Sequence, residues 1–435
     1  MEKQQNIPTT YHALWCSPNK EDRFYPEYCM GTLCYYGDRP SLLTLLIPPA
    51  QGTISSHNKH YDTLWGKDAT QYPYTIFGNT QQEPQWDNIE FSKSEYEVRA
   101  ILRGRHIDSI HKASFTKCIV EFPHLIDWAH NSRVSSNSDN SANTITIDKT
   151  KREPLLVAEV EDGVTYRLVA NVAQRKNSDY GIDIKQRTTL TIESSKKQSI
   201  RWFLQHILEF SNFLSIALYA EQAHSSMVFT GDGKYPEYCP FLIELSKSIT
   251  PNGYLIDFNK LKERLPMMMK NWHNNYEQLM PITNYLIDSM QSRKYQSSSD
   301  FLIVAQALDG YFKRFVNGKD GKDTKQYAHQ IKKLVEHFKD IDAIRECNID
   351  AEEMADTRHK YSHLIPDSDT KLKKAVDGEE LYCLTLKGKI LLTCCILDNL
   401  GLTIEEINQC CENEPITHIL KEIDDYEWWK RIPNE

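Results

Sequence analysis

Arg358, His359, Lys360, Tyr361, Ser362 and His363 bring a guanidinium, an ammonium, two imidazoles and two hydroxyls together in consecutive positions. An ordinary surface helix has no need of that mixture. Arginine carries a permanent charge on a planar fork matched to phosphate oxygens. Histidine is the side chain best suited to move protons near neutral pH. Together they suit attack of an RNA 2′-hydroxyl on its own adjacent phosphate. That step needs a base for the hydroxyl, an acid for the leaving 5′-oxygen and a cation for the charge that builds on phosphorus. It needs no metal or other cofactor. DNA lacks the 2′-hydroxyl and is spared.

The segment that carries these residues reads as a helix. Asp350 stands at a capping position, with Glu353 three residues on as in a capping box. Pro366 closes the segment, because proline disfavours helical geometry in the residue before it. At about 3.6 residues per turn, Arg358 and His363 lie roughly 140° apart and do not project from one face. Two copies of the helix facing each other in a symmetric dimer would solve that geometry. Lys360 and Tyr361 are either substrate-binding or packing residues, and the sequence leaves both open. Two other readings stand beside catalysis. His359 and His363, four apart, share a helix face and with Asp356 or Asp367 could hold Zn²⁺. No H-E-x-x-H glutamate lies between them, and Arg358 and Lys360 would repel a cation. Alternatively the chain is a non-catalytic binding protein whose helical part only dimerises.

The elements around this segment change character along the chain. Residues 1–195 read as a β-rich, antiparallel domain, residues 196–435 as an all-α bundle, for an α+β protein. Gly31 to Tyr36 and Ser41 to Ile47 are apolar runs separated by the turn signal Gly37-Asp38-Arg39-Pro40. Glu95 to His106 alternates as one half-buried strand with Arg99, Arg103 and Arg105 on its outer face. That strip is either a solvated face or a surface for phosphates or an acidic partner. Further strands are predicted at Tyr72 to Phe77, Phe115 to Phe122, Thr144 to Ile147, Leu155 to Val160, Val164 to Val172 and Arg187 to Ile192. The small polar run Asn131 to Asn143 predicts an exposed loop.

From Ser194-Ser195 onward the apolar spacing becomes helical, and either serine is placed to cap the first helix. Gly231 to Pro240 predicts a loop. Leu261 to Tyr295 predicts helix broken near Pro266 and Pro281. Ser298 or Ser299 caps a helix running to Val316, whose core face includes Gln306 and Asp309. Asp309 reads as a structural carboxylate and also as a candidate helper of the Arg/His chemistry. Lys325 to Phe338, Leu384 to Leu400, Ile404 to Cys411 and Ile416 to Trp429 complete the helices. Gly318-Lys319-Asp320-Gly321 lacks the G-K-[ST] of a phosphate-cradling loop.

A net charge of −9 excludes a general cationic coat for nucleic acid and leaves only local basic patches. Eleven cysteines without a C-x-x-C pair fit a reducing compartment. The N-terminal M-E-K-Q-Q-N-I-P has no signal-peptide core, and no stretch reaches the length of a membrane span. The expectation is a cytoplasmic protein with no membrane partner.

At Arg358-His359-x-x-x-His363 the chain resembles the R-[N/D/H]-x3-H motif of HEPN ribonucleases, all-helical proteins that act as dimers. Phe301-Leu302-x-x-x-Gln306-Ala307-Leu308-Asp309 is similar to the F-L-x-x-x-Q-A-L-E helix of the ApeA-like branch, with Asp309 in place of Glu. Gly31-Thr32-Leu33 and Tyr74-Thr75-Ile76-Phe77-Gly78 are similar to the ApeA N-terminal domain. The resemblance implies an anti-phage, abortive-infection endoribonuclease that works without metal. It implies Arg358 and His363 as the essential pair and His359 as the intermediate polar residue. It also implies an RNA substrate, with tRNA a candidate, a homodimer formed through the helical domain, and a phage-derived trigger sensed by the N-terminal domain.

Overall fold

The computed structural model describes residues 8–18, 29–47, 60–81, 92–129, 134–139, 142–148, 153–178, 181–231, 237–291, 297–316, 326–366 and 372–430. The first strands are β1 (Thr9–Cys16), β2 (Cys29–Tyr35), β3 (Ser41–Ile47), β4 (His60–Lys67), β5 (Pro73–Gln81) and β6 (Ser92–Val98). They pair antiparallel in the order β5–β4–β1–β2–β3–β6, and Thr80 and Gln81 of β5 meet Glu97 and Tyr96 of β6 to close the ring. Alternation sends Trp15, Leu33, Leu43, Leu64, Ile76 and Tyr96 inward, where they form a core of their own. Gly66 is required here, since a Cβ would stand 2.6 Å from the Trp15 ring.

The predicted strand from Glu95 to His106 is interrupted at Arg99. β6 ends there and β7 (Ala100–Arg103) pairs with β5 instead. Alternation fails in β7 because both faces are covered: Ile101 enters the barrel core, while Ala100 and Leu102 enter a second, larger one. The three arginines therefore form no single strip. Arg99 and Arg105 are exposed, whereas Arg103 lies over the Tyr11 ring and beside Tyr72 and Tyr74.

The sheet continues through β8 (Ser114–Glu121), α1 (Leu125–Trp128), β9 (Val134–Asp139), β10 (Ala142–Ile147), β11 (Leu156–Glu161), β12 (Val164–Ser178), β13 (Gly181–Ser199), α2 (Ile200–Leu218), β14 (Ser226–Thr230) and β15 (Tyr238–Ile243). From β5 outward the order is β7–β15–β14–β8–β13–β12–β11. Among the described residues β9 and β10 pair only with each other, so much of the expected loop at Asn131 to Asn143 is a ribbon. Residues 131–133 and 140–141 lie outside the described residues. Small polar side chains signalled a loop, yet ladder pairing draws on the backbone alone. The segment read as a loop at Gly231 to Pro240 likewise ends in β15, with residues 232–236 outside the description.

β13 runs into α2 without a break. Ser199, not Ser194 or Ser195, is its cap and accepts from the Trp202 N–H. The remaining helices are α3 (Leu265–Gln291), α4 (Ser298–Tyr311), α5 (Tyr327–His337), α6 (Asp342–Cys347), α7 (Ala351–Ser362), α8 (Gly378–Asn399), α9 (Ile404–Cys411) and α10 (Glu414–Lys430). A π-helical turn, Phe312–Val316, follows α4. α3 continues through Pro281, and Pro266 sits in its first turn, where a missing N–H costs nothing. Ser297 occupies the cap of α4. α8 is buried along most of its length, and its Lys389 is neutralised by Asp300 of α4 at 3.2 Å. One apolar core runs from β7 and β8 through α2 and α3 into α4, α7 and α8. The architecture is α+β: an antiparallel β-rich part followed by a helical part. All eleven cysteines carry free thiols.

Candidate active site

Helix α7 begins where the sequence placed it. The Asp350 carboxylate accepts from the N–H groups of Glu352 and Glu353 and also holds Lys374 at 2.6 Å. Those bonds, Lys374 first, keep its carboxyl below the usual range. Ala351, Met354 and Thr357 face the core. The helix ends at His363, which caps it at φ −110°, ψ 4°, and the next residue, Leu364, turns left-handed at φ 50°. The Ile365 N–H then returns to the Lys360 carbonyl at 2.9 Å. His363 itself keeps the helical bond, its N–H donating to the His359 carbonyl at 3.2 Å, so the chain leaves the helix at Leu364.

Arg358, His359 and His363 all open into one cleft of about 880 Å³ within a single copy. Ala355, Glu352, Asp356 and Ser362 share its α7 wall. At about 100° per residue these positions cover roughly 160° of the α7 circumference. A cleft that broad accepts both Arg358 and His363, so their separation does not by itself call for a second copy. The rings of His359 and His363 meet edge-on, with centroids 4.7 Å apart.

Arg358 is held from behind. Its Nη2 donates to Asp309 Oδ2 of α4 at 3.2 Å, and its guanidinium lies over the Tyr327 ring of α5, 4.7 Å from the centroid. Asp309 is 6% exposed and also takes Lys313 at 2.9 Å. It is a paired, buried carboxylate behind the arginine and does not line the cleft. Burial pushes the Tyr327 phenol well up, so the ring stays neutral. Gln306, expected among core positions, is exposed and lines the cleft.

Lys360 and Tyr361 lie elsewhere. Both border a separate depression with Leu364, Ile365 and Asp377. At about 100° per residue they fall outside the sector that Arg358 and His363 bracket. Lys360 pairs with Asp377 at 3.5 Å, and Tyr361 packs on the core. Nor does a metal set assemble on His359 and His363. Asp356 Oδ2 instead accepts from the Lys374 N–H at 3.2 Å, and Asp367 lies outside the described residues. Among the described residues these histidines join no convergent ligand group.

The opposite wall was missed from sequence. Gln326, at the cap of α5, and His329 and Lys332 on it face the cleft. Their signal is spacing: three exposed polar residues at i, i+3, i+6 behind the buried Tyr327, Ile331 and Leu334. Three imidazoles, a buttressed guanidinium and an ammonium thus share one open cavity, suited to a phosphodiester and to proton transfer at its oxygens.

An antiparallel β half, a helical half and an Arg–His cleft on a capped helix define a HEPN-type protein with an N-terminal β extension. The chain belongs to the ApeA family: residues 10–272 match the model described as ApeA N-terminal domain 1, and residues 302–406 match that described as Apea-like HEPN. This is a family of anti-phage HEPN nucleases. No curated protein and no solved structure matches the chain. No helix among the described residues is long and apolar enough to cross a membrane.

Proposed function

We propose that the chain is an endoribonuclease that cleaves RNA without a catalytic metal, in an abortive response to phage with tRNA as a candidate target. The observation that carries this reading is the common cleft of Arg358, His359 and His363, with the arginine anchored on Asp309 and Tyr327. His363 takes the proton of the 2′-hydroxyl as its oxygen bonds to phosphorus. The P–O5′ bond breaks and the leaving oxygen receives a proton from His363, which acts in turn as base and acid. The products are a 2′,3′-cyclic phosphate and a free 5′-hydroxyl. Arg358 holds the non-bridging oxygens as charge develops. His359 orients the phosphate or its neighbour His363. Residues 1–195 sense a phage-derived trigger, and residues 196–435, which hold the helices together with β14, β15 and the end of β13, cut and pair in a homodimer in the cytoplasm.

The test is cleavage of a labelled RNA and its 2′-deoxy counterpart by the purified full chain in EDTA, with and without phage lysate. The RNA is expected to be cut to cyclic-phosphate ends and the deoxy strand spared. Arg358→Ala and His363→Ala should each lower the rate by about 10²-fold or more. Cleavage that vanishes in EDTA and returns with added metal, or that survives both substitutions, overturns the mechanism. A monomer-forcing substitution that keeps the full rate removes the dimer from it.

A further inference from the structure

Away from the cleft, a second cluster of titratable groups joins β11, β12, α2 and α3. His206 and Glu209 stand one turn apart on α2, and His273 faces them from α3. Glu209 Oε2 lies 2.8 Å from His273 Nδ1 and 3.8 Å from His206 Nδ1. One ligand atom from each of the three lies within 4.8 Å of the others. The two imidazoles are near parallel, with centroids 5.3 Å apart. Glu161, at the end of β11, sits at their other edge, 3.9 Å from His206 Nε2 and 3.6 Å from His273 Nε2. Tyr166 Oη of β12 approaches His206 Nδ1 at 2.7 Å.

We propose that His206, His273 and Glu209 form a binding site for a divalent transition-metal ion of the zinc class, which fastens α2 to α3 beside the β sheet. Imidazole nitrogen and carboxylate oxygen are the ligands such ions take, with bonds of about 2.0–2.2 Å. In a tetrahedral shell the ligand atoms lie about 3.4 Å apart. The two Glu209 distances straddle that value, while the two imidazoles stack near parallel with ligand atoms within 4.8 Å, so completing the shell takes shifts of roughly half an ångström at Glu209 and a rotation of one ring out of the stack. Glu161 is placed to receive both Nε2–H groups, the outer carboxylate that fixes ring tautomer at metal-bound histidines. Tyr166 Oη or a water supplies the fourth oxygen. Glu209 is buried and Glu161 is half exposed at 43%, so the site is enclosed on one side and reachable on the other. No residue of this cluster lines the Arg358 cleft, so the ion is structural and takes no part in phosphate chemistry.

The experiment uses the full chain purified in chelator and returned to metal-free buffer, with zinc as the probe. Elemental analysis after zinc addition and gel filtration should find about one equivalent per chain. Zinc in excess should raise the melting temperature by about 2 °C or more over the chelated protein. His273→Gln and Glu209→Gln should each lose at least about tenfold in zinc affinity and lose the melting shift. His337→Gln, an exposed histidine elsewhere, should keep both. Zinc uptake at one equivalent with these variant effects supports the site. No uptake and no shift in the unmutated chain overturns it, leaving His273 and Glu209 a plain ion pair. Uptake unchanged in His273→Gln and Glu209→Gln also overturns it. Melting of each variant in chelator, compared with the chelated parent, separates lost binding from lost folding.

Discussion

Asp309→Asn removes the charge that holds Arg358 while keeping the side chain's size. Breaking a fully buried ion pair costs about 3–5 kcal/mol, and an exposed pair is worth about 0–1 kcal/mol. The Asp309 side chain is 6% exposed, but Arg358 is 30% and Lys313 58% exposed, so water recovers much of what both cations lose. A stability loss of about 1–2 kcal/mol follows. Cleavage should suffer more. Tyr327 still cups the guanidinium, at about 0.5–1 kcal/mol for a partly wet cation over a ring. That leaves its direction loose, and a displacement of about 1 Å in a catalytic group costs up to about 100-fold. A fall in kcat of about 10- to 100-fold is expected, with little change in KM. Asp309→Glu, which restores the carboxylate, should recover most of the rate. Single-turnover cleavage of a fluorescent RNA, run beside urea denaturation, reads both quantities. Asn at wild-type kcat, in protein shown to be folded, would refute the positioning role. A rate above wild type would show that Asp309 restrains the arginine instead.

Two further outcomes bear on α7. Leu364 holds φ 50° at the helix end and is 85% exposed. Left-handed geometry costs an L residue roughly 1–2 kcal/mol, so Leu364→Gly should raise the urea midpoint by the equivalent of about 1 kcal/mol. A lowered midpoint would mean that contacts of the leucine outweigh its strain. Asp350→Ala should cost about 1 kcal/mol at pH 7 through loss of the cap. The folded Asp350 carboxyl is depressed, by Lys374 first, so its contribution is complete above the unfolded value of about 4 and is lost as pH falls through the folded one. The difference between parent and variant should therefore shrink below about pH 4, and a gap that stays constant to pH 2 would contradict this.

The site's core was legible because its signals are local. Asp350 as cap and the crowded run from Arg358 to His363 both lie on one short helix. The hairpin of β2 and β3 was legible for the same reason: two apolar runs flank a turn. What escaped depended on distant partners. Lys360 and Tyr361 share the crowded run with Arg358, but which sector faces the cleft is set by α4 and α5. Arg103 looked like the solvent side of a strand until Tyr11, from β1, arrived against it. β7 lost its alternation because two cores press on it at once. His206, Glu209 and His273 carried no motif at all, since their convergence needs α2 and α3 side by side.

The same long-range packing ties the cleft to the β half. Asp309 sits on α4, α4 packs against α3, and α3 lies along β11 in one continuous apolar core. A close-packed interior shifts between discrete arrangements more readily than it deforms smoothly, so a displacement of α3 would be felt at α4. Arg358 takes its direction from Asp309, and a small rotation of α4 would re-aim it without touching α7. The His206–Glu209–His273 cluster occupies the joint at the other end of this route, where β11, α2 and α3 meet. On the proposed reading, in which the sheet senses a trigger, favouring one seating of α3 over another would reach the arginine without a separate messenger. For that to be allostery α3 must have two such seatings, each biased by trigger and by RNA. Removing residues 1–195 would not simply release the cutting half, because it strips the sheet from the buried face of α2, where Phe203, Ile207 and Phe210 lie.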